Sequence, residues 1–388
     1  MRGDATTASH LRIISNRDEE WNLRMEMVKR AERFLLLTTY YFGSDERSGT
    51  MVDALAAAAR RGVQVVLVID TFGQRLAQNL SKKADRPRLI ARLRSLEAAG
   101  ARLIWYAPKS LRHRWVGGGA HIKIQVSDQG SALFGSANIS HQSFSRWSEV
   151  TLEMRGAIVP LLIQEVCTLA ALGKSETVEL VGSLPPAAAS EQPYALRYLR
   201  EDPELCSGPF FPLGAVRNRL TQAIVDLIDQ AQHSLSFTSI YVKPPPILED
   251  AIVRACRRGV KVEVFHSHRG SLGVSHLPWI AASFHAAFII KEGATIYESL
   301  AGEHSKVILV DDRHVAVGSY NLEHAAHDRL IEAMVFTDDA RACQHFRTMF
   351  NTMKNDAGIV AVPPDWLSAL PLVLHAKREL LRPIKRWF

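Results

Sequence analysis

HIKIQVSDQGSALFGSAN, from His121 to Asn138, and HSKVILVDDRHVAVGSYN, from His304 to Asn321, carry one pattern. Each reads His-x-Lys, four residues, Asp, six residues, Gly-Ser-x-Asn, and a glutamate follows eleven residues after each Asn, at Glu149 and Glu332. A lone His-x-Lys is weak evidence, but six residues at fixed spacing recur by chance at about 10⁻⁸ per start position. The chain is a duplication, so every other feature has to be read twice.

Outward from the motifs the halves correspond. FLLLTTYYF (34 to 42), the helical pattern MVDALAAAARRG (51 to 62) and VQVVLVID (63 to 70) match SLSFTSIYV (234 to 242), ILEDAIVRACRRG (247 to 259) and VKVEVFHS (260 to 267). Gly62 and Gly259 stand where a helix C-terminus takes a left-handed residue. Strand-helix-strand units imply an α/β fold. The expectation is two pseudo-symmetric α/β/α repeats, with largely parallel sheets flanked by helices and one active site shared at their interface. Residues 1–155 form the first repeat, 156–207 a connecting helix and linker containing LPPAAASEQP, and 208–356 the second repeat. Residues 357–388 form a basic C-terminal tail with Val373, Ala376, Leu380, Ile384 and Trp387 on one helical face. Such a face suits either a lipid interface or docking on the domain.

The bulk properties are those of a folded chain. Of 388 residues 47% are hydrophobic and 22% charged, which excludes general disorder, and the net charge of +7 favours an anionic partner, nucleic acid or membrane. Cys167, Cys206, Cys256 and Cys343 lack C-x-x-C spacing and read as reduced thiols. The N-terminus lacks a signal-peptide pattern, and no apolar run reaches the ~20 residues of a spanning helix. A cytoplasmic protein, peripheral on the inner face of the cell membrane, is therefore expected. His266, His268, His276 and His285 lack acidic or cysteine partners at ligand spacing, so no metal or other cofactor is expected.

In an extended segment residues i and i+2 share a face, so His121 and Lys123 project together, as do His304 and Lys306. A Gly-Ser turn can return Asn138 and Asn321 beside them, with Ser136 and Ser319 near the substrate. Each copy is half of a phosphate site. Two facing halves supply lysines and amides for the non-bridging oxygens and one histidine on each side of phosphorus. One imidazole is then nucleophile and the other general acid. Glu149 and Glu332 are candidates to hold the imidazole tautomers. Asp128 and Asp311 join the catalytic set, braced against the motif loops. Tyr40, Tyr41 and Tyr241, on the first strand of each half, are candidates to line the substrate pocket. KSLRHRWVGGG (109 to 119) could hold phosphates, its glycines permitting movement, while RLAQNLSKKADRPRLIARLR (75 to 94) could be a phosphate surface or a solvated face.

The paired motifs, with their trailing Gly-Ser-x-Asn, resemble the HKD signatures of the phospholipase D superfamily over residues 10 to 155 and 208 to 340. The resemblance implies that His121 is the nucleophile, that His304 is the acid and that a phosphohistidine forms. Gln125 and Ser127 depart from the family pattern and could narrow the first half-site or bind a headgroup. Among phospholipase D-like enzymes the chain is similar to bacterial cardiolipin synthases, which implies phosphatidyl transfer on an anionic phospholipid at a membrane surface. A nuclease of the same superfamily is the alternative, and a non-catalytic membrane- or nucleic-acid-binding protein the third reading. The oligomeric state is left open.

Overall fold

The computed structural model describes residues 4–80, 85–187, 190–208, 211–212, 216–272 and 276–383. The chain opens with two short strands, β1 (Asp4–Ala8) and β2 (His10–Ile14), that part to different sheets. Then come β3 (Phe34–Thr39), β4 (Gln64–Asp70), β5 (Arg102–Tyr106), the short β6 (Gly119–Ala120), the motif hairpin β7 (Lys123–Ser127) and β8 (Ser131–Gly135), and β9 (Thr151–Arg155). The second repeat runs β10 (Tyr194–Glu201), β11 (Ser234–Thr238), β12 (Lys261–Ser267), β13 (Thr295–Ser299), β14 (Val307–Val310), β15 (His314–Gly318) and β16 (Leu330–Thr337), with β17 (Ile359–Ala361) after it.

The first sheet has the order β2-β9-β8-β7-β3-β4-β5, and the second repeats it as β10-β16-β15-β14-β11-β12-β13, flanked by β1 and β17. The strands ahead of each motif pair in parallel, β3 with β4 with β5 and β11 with β12 with β13. From the motif strands onward the pairing is antiparallel. The sheets are therefore mixed, not largely parallel, because three-residue turns join β7 to β8 and β14 to β15 and leave no room for a crossover helix.

Two boundaries also shift. β10 pairs with β16 just as β2 pairs with β9, so the second repeat begins near Tyr194 and not at 208. The segment 156–207, expected as connector, contains helices Ile158–Leu169 and Lys174–Gly182 before that strand. Asp4–Ala8 crosses to the second sheet by pairing with β10.

Strand side chains alternate between two apolar environments. Phe34, Leu36, Val66 and Val68 point into a core shared with Val307, Leu309, Val315 and Val317 of the other sheet and with helix Ile158–Leu169. Leu35, Leu37, Val65 and Leu67 face the helices outside the first sheet. Burial on both faces explains the continuous apolar runs. The sheets pack with their motif hairpins toward a common interface, which positions the site.

Asp128 and Asp311 sit at the far ends of the motif strands from the histidines, about 23 Å along an extended chain. Asp128 accepts from the backbone N–H of Glu32 and Arg33, and Asp311 from those of Gln232, His233 and Ser234 at 2.7–2.8 Å. They hold the entrance to β3 and β11 and take no part in the reaction centre, which corrects their inclusion in the catalytic set. Asp311 and Asp312 have φ of 50° and 56°, a turn that aspartate tolerates better than most residues.

Asn16 caps helix Arg17–Arg30, and Arg24 inside that helix bonds Gln125 through both its backbone carbonyl and its guanidinium. Gln125 is thus a packing residue beneath the helix, not a headgroup contact. The described part of the tail, helix Leu372–Leu381, docks on helix Leu277–Lys291, with Leu381 beside Trp279 and Ile280 and Arg378 over Phe284 at 4.0 Å. Ile384, Lys385, Arg386 and Trp387 lie outside the described residues. Among the described residues no helix is long and apolar enough to cross a membrane, and the four cysteines are unpaired.

The three backbone bonds opposing its burial hold the Asp311 carboxyl below its usual value of 3.8. A depressed carboxyl stabilises the fold above the unfolded value and loses that effect as pH falls through the folded one. Asp311→Ala should therefore lower the free energy of unfolding by about 2 kcal/mol at pH 7. In urea titrations, its deficit relative to the native chain should shrink once the pH falls below 3.8.

Candidate active site

Each motif histidine stands just before its strand, on a segment that crosses to the other repeat. Ahead of His121, β6 pairs with the start of β16, and the His121 N–H donates to the Ile331 carbonyl at 2.9 Å. Ahead of His304, Glu303 bridges to Ser148, and the His304 N–H donates to the Ser148 carbonyl at 2.9 Å. The residue after each acceptor is the trailing glutamate. The consequence is a crosswise pairing: His121 Nδ1 meets Glu332 Oε1 at 2.9 Å, and His304 Nδ1 meets both Glu149 oxygens at 2.9 Å. Each histidine is oriented by the glutamate of the opposite repeat.

The two imidazoles differ in their second contacts. His121 Nδ1 also lies 3.1 Å from the Ser319 carbonyl. A carbonyl only accepts, so Nδ1 carries the hydrogen and the Nε2 lone pair is left for the site. The Tyr40 ring meets His121 edge-on at 4.7 Å. Trp147 stacks on His304 at 4.9 Å and 27°.

Ser136 and Ser319, expected to face substrate, lie beneath the glutamates instead. The Ser319 hydroxyl donates to Glu332 Oε2, and Ser136 Oγ bonds the Val150 backbone in both directions. A hydroxyl tucked under a carboxylate fixes its rotamer, so the Gly-Ser pair positions the glutamates. The close turn needs its glycine: a Cβ on Gly135 would lie 2.3 Å from the Val150 carbonyl, and one on Gly318 2.2 Å from that of Ala333.

Lys123 and Lys306, each 1% exposed, donate to the carbonyls of their own histidines. Burial and then mutual repulsion push Lys123 well down, while burial brings Lys306 down to about 8 against the pull of Glu149 and Glu332. Burial likewise lowers His121, helped by the positive charges of Lys123 and Lys306, and lowers His304 to about 4 against the opposing pull of Glu149. Burial raises the Glu149 carboxyl, but the His304 charge and hydrogen bond outweigh it and leave it at about 2. Glu149 is a carboxylate facing a histidine that can hold a second proton.

Asn138 and Asn321 are both buried here but are not equivalent. Asn138 Oδ1 accepts from Thr39 and its Nδ2 has no partner among the described residues, a buried donor that a phosphate oxygen would satisfy. Asn321 Nδ2 donates to Glu323 at 3.2 Å, and Glu323 also pairs with buried Lys243 at 3.4 Å. The first repeat has Gly43 and Ser140 at the corresponding places. There a cavity of about 440 Å³ opens, lined by Tyr41, Asp45, Arg86, His141, Arg146 and Trp147 among others. Tyr41 lines it as expected. Tyr241 does not, and stands instead against Lys243, whose Nζ is 5.6 Å from its ring.

Several contributors escape motif reading. Trp147, Lys243 and Glu323 occupy positions where the halves differ, so aligning the repeats against one another would have marked them. Asp70 and Glu303 brace the segments before the histidines. Asp70 accepts from the N–H of Gly73 and Ala120, and burial raises its carboxyl to about 7; Glu303 accepts from Ser305 and is likewise raised by burial to about 7. The Gly117-Gly118-Gly119 run is not a hinge. Gly119 is part of β6, and a Cβ there would lie 2.4 Å from Asp70. His266 and His268 face Glu298 at 3.7 and 3.9 Å and His285 bonds Glu249, and among the described residues no group of three or more potential ligands is gathered to hold a metal.

Residues 25–166 and 224–354 match the family described as "Cardiolipin synthase, PLD-like domain". The chain belongs to this phospholipase D-like family. It is 23% identical over 363 residues to a probable cardiolipin synthase of Bacillus subtilis (strain 168), covering 89% of this chain and 66% of that one. It is also 23% identical over 355 residues to cardiolipin synthase B of Escherichia coli (strain K12), covering 88% and 79%. Phosphatidylserine synthase of Haemophilus influenzae Rd KW20 shares the fold, with a TM-score of 0.70 and 17% identity over 99% of this chain and 95% of that one.

Because both Glu149 carboxylate oxygens are engaged at His304 Nδ1, Glu149→Gln should lower kcat about 100-fold or more with little change in KM. A rise in KM at constant kcat would place Glu149 in substrate binding instead. Lys306 loses its charge as pH rises through about 8, so kcat/KM of the native enzyme should decline above that pH.

Proposed function

We propose that the chain transfers a phosphatidyl group from an anionic phospholipid to an alcohol, or to water, working peripherally at the inner face of the cell membrane. The observation that carries this reading is the crosswise pairing, which directs two unlike imidazoles at one point between two buried lysines. Membership of the cardiolipin synthase, PLD-like family and the names of the relatives support phospholipid as the substrate class.

The lysines and the Asn138 amide bind the non-bridging oxygens. His121 Nε2 attacks phosphorus, forming a P–N bond as the bond to the leaving alcohol breaks, and the His304 Nε2 proton passes to the leaving oxygen. The lysines hold the growing charge on the equatorial oxygens. In the second step His304 takes the proton of the incoming alcohol or water, whose oxygen attacks phosphorus and releases His121.

Burial depresses both histidines, with the lysine charges adding to it. A bound phosphodiester brings a negative charge against those lysines and lifts His304 toward protonation, with Glu149 already ionised to receive it. The acid is thus armed by the substrate. His121, whose Nδ1 hydrogen is held by a neutral carbonyl as well as by Glu332, stays the better nucleophile.

Purified protein should release or exchange the headgroup of phosphatidylglycerol without added divalent metal, and His121→Ala and His304→Ala should each abolish this. Acid-quenched turnover followed by peptide mass spectrometry should find the phosphatidyl adduct on the His121 peptide. An adduct on the His304 peptide reverses the two roles. Activity on single-stranded DNA with none on lipid defeats the lipid reading, and loss of all activity to chelator defeats the metal-independent one.

A further inference from the structure

Three segments beside the first-repeat motif expose large apolar side chains. Helix Thr71–Leu80 presents Phe72 and Leu76, 40% and 46% exposed; helix Leu111–Trp115 presents Leu111 and Trp115, 75% and 82% exposed; and the turn Pro203–Cys206 presents Leu205, 79% exposed. They lie together. Phe72 covers Gly117 so closely that a Cβ there would be 2.7 Å from its ring, and Glu204 accepts from the backbone N–H of Lys109 and Ser110. That last contact turns the patch's carboxylate inward onto backbone. Exposed Arg75, Lys109, Arg112 and Arg114 stand among the apolar groups.

The patch is coupled to the reaction centre by the chain itself. Helix Thr71–Leu80 starts directly after Asp70, whose carboxylate holds the Ala120 N–H next to His121, and helix Leu111–Trp115 leads through the glycine run into β6. Both follow the carboxyl ends of parallel strands β4 and β5, the edge at which α/β sheets place their ligands.

From this juxtaposition we infer that the anionic face of a lipid bilayer docks on the surface made by residues 71–76, 109–115 and 205, presenting the His121 side of the site to the headgroups. Leucines at three of the five apolar positions neither stack on bases nor bind phosphate, but they gain on entering the acyl boundary, while the interspersed cations meet lipid phosphates. That composition favours a bilayer over a nucleic acid. The inference rests on the phosphatidyl-transfer reading and names the partner of that site. It also assigns membrane contact to a surface other than the C-terminal helix, whose Leu372 is 86% exposed on the far side of its docked face.

The test compares the native full-length chain with Leu111→Ser/Trp115→Ser and with Leu372→Ser, in flotation with phosphatidylglycerol vesicles. The double variant should partition at least about tenfold more weakly, with Leu372→Ser unchanged. Its turnover of monomeric short-chain phosphatidylglycerol should match that of the native chain. Native partition by the double variant, or an equal loss in Leu372→Ser, overturns the inference. So does retention of single-stranded DNA in place of vesicles by the same residues. Failure of the native chain to turn over the monomeric lipid counts against phosphatidyl transfer, whereas partition reads the docking surface separately.

Discussion

The crossing of each pre-motif segment onto the opposite repeat is the constraint on which the site depends. Among the described residues, neither motif histidine bonds a carboxylate of its own half. Each acquires its carboxylate because β6 and its counterpart at Glu303 pair with the neighbouring repeat, one residue from Glu332 and Glu149. Two buried histidine-glutamate contacts therefore tie the repeats together, and separating the repeats would break both. Catalytic assembly and repeat association are one event.

Around this exchange the environment has been made unequal. Near-identical motifs would give near-identical imidazoles, yet a two-step transfer needs one to attack and one to donate. The difference comes from what each imidazole meets: the Ser319 carbonyl on His121 Nδ1 against both carboxylate oxygens on His304, and Tyr40 edge-on against Trp147 stacked. The same divergence shapes access. Lys243 and Glu323 fill the second-repeat side, while Gly43 and Ser140 leave the first-repeat side open to a cavity next to Trp147.

Burial of two lysines and two histidines is expensive in the empty protein, and their depressed proton affinities record that cost. A phosphodiester anion relieves it. The site is accordingly held together by carboxylates behind the histidines, not by charge in front of them, which keeps the space for phosphorus free of competing anions. Asp128 and Asp311 contribute from a distance, since capping the entrances of β3 and β11 sets the register of the motif strands beside them.

The duplication, the α/β class and the convergence of two His-x-Lys-Asn sets are legible in the amino-acid order, because spacing along a strand maps directly onto a face. Trailing glutamates could be named for the same reason. Local pattern does not reveal which partner sits across an interface. The crosswise pairing, the tucking of Ser136 and Ser319 under carboxylates, the burial of Gln125 against Arg24 and the removal of the two aspartates from the reaction centre all follow from contacts between residues far apart in the chain. Strand direction after the motifs and the start of the second repeat at β10 belong to the same category, since pairing register is a property of two segments at once. The sequence by itself determined the two motif sets from which the proposed reaction draws its groups. Only the tertiary structure decided which glutamate serves which histidine, because that choice is made by a strand crossing between repeats.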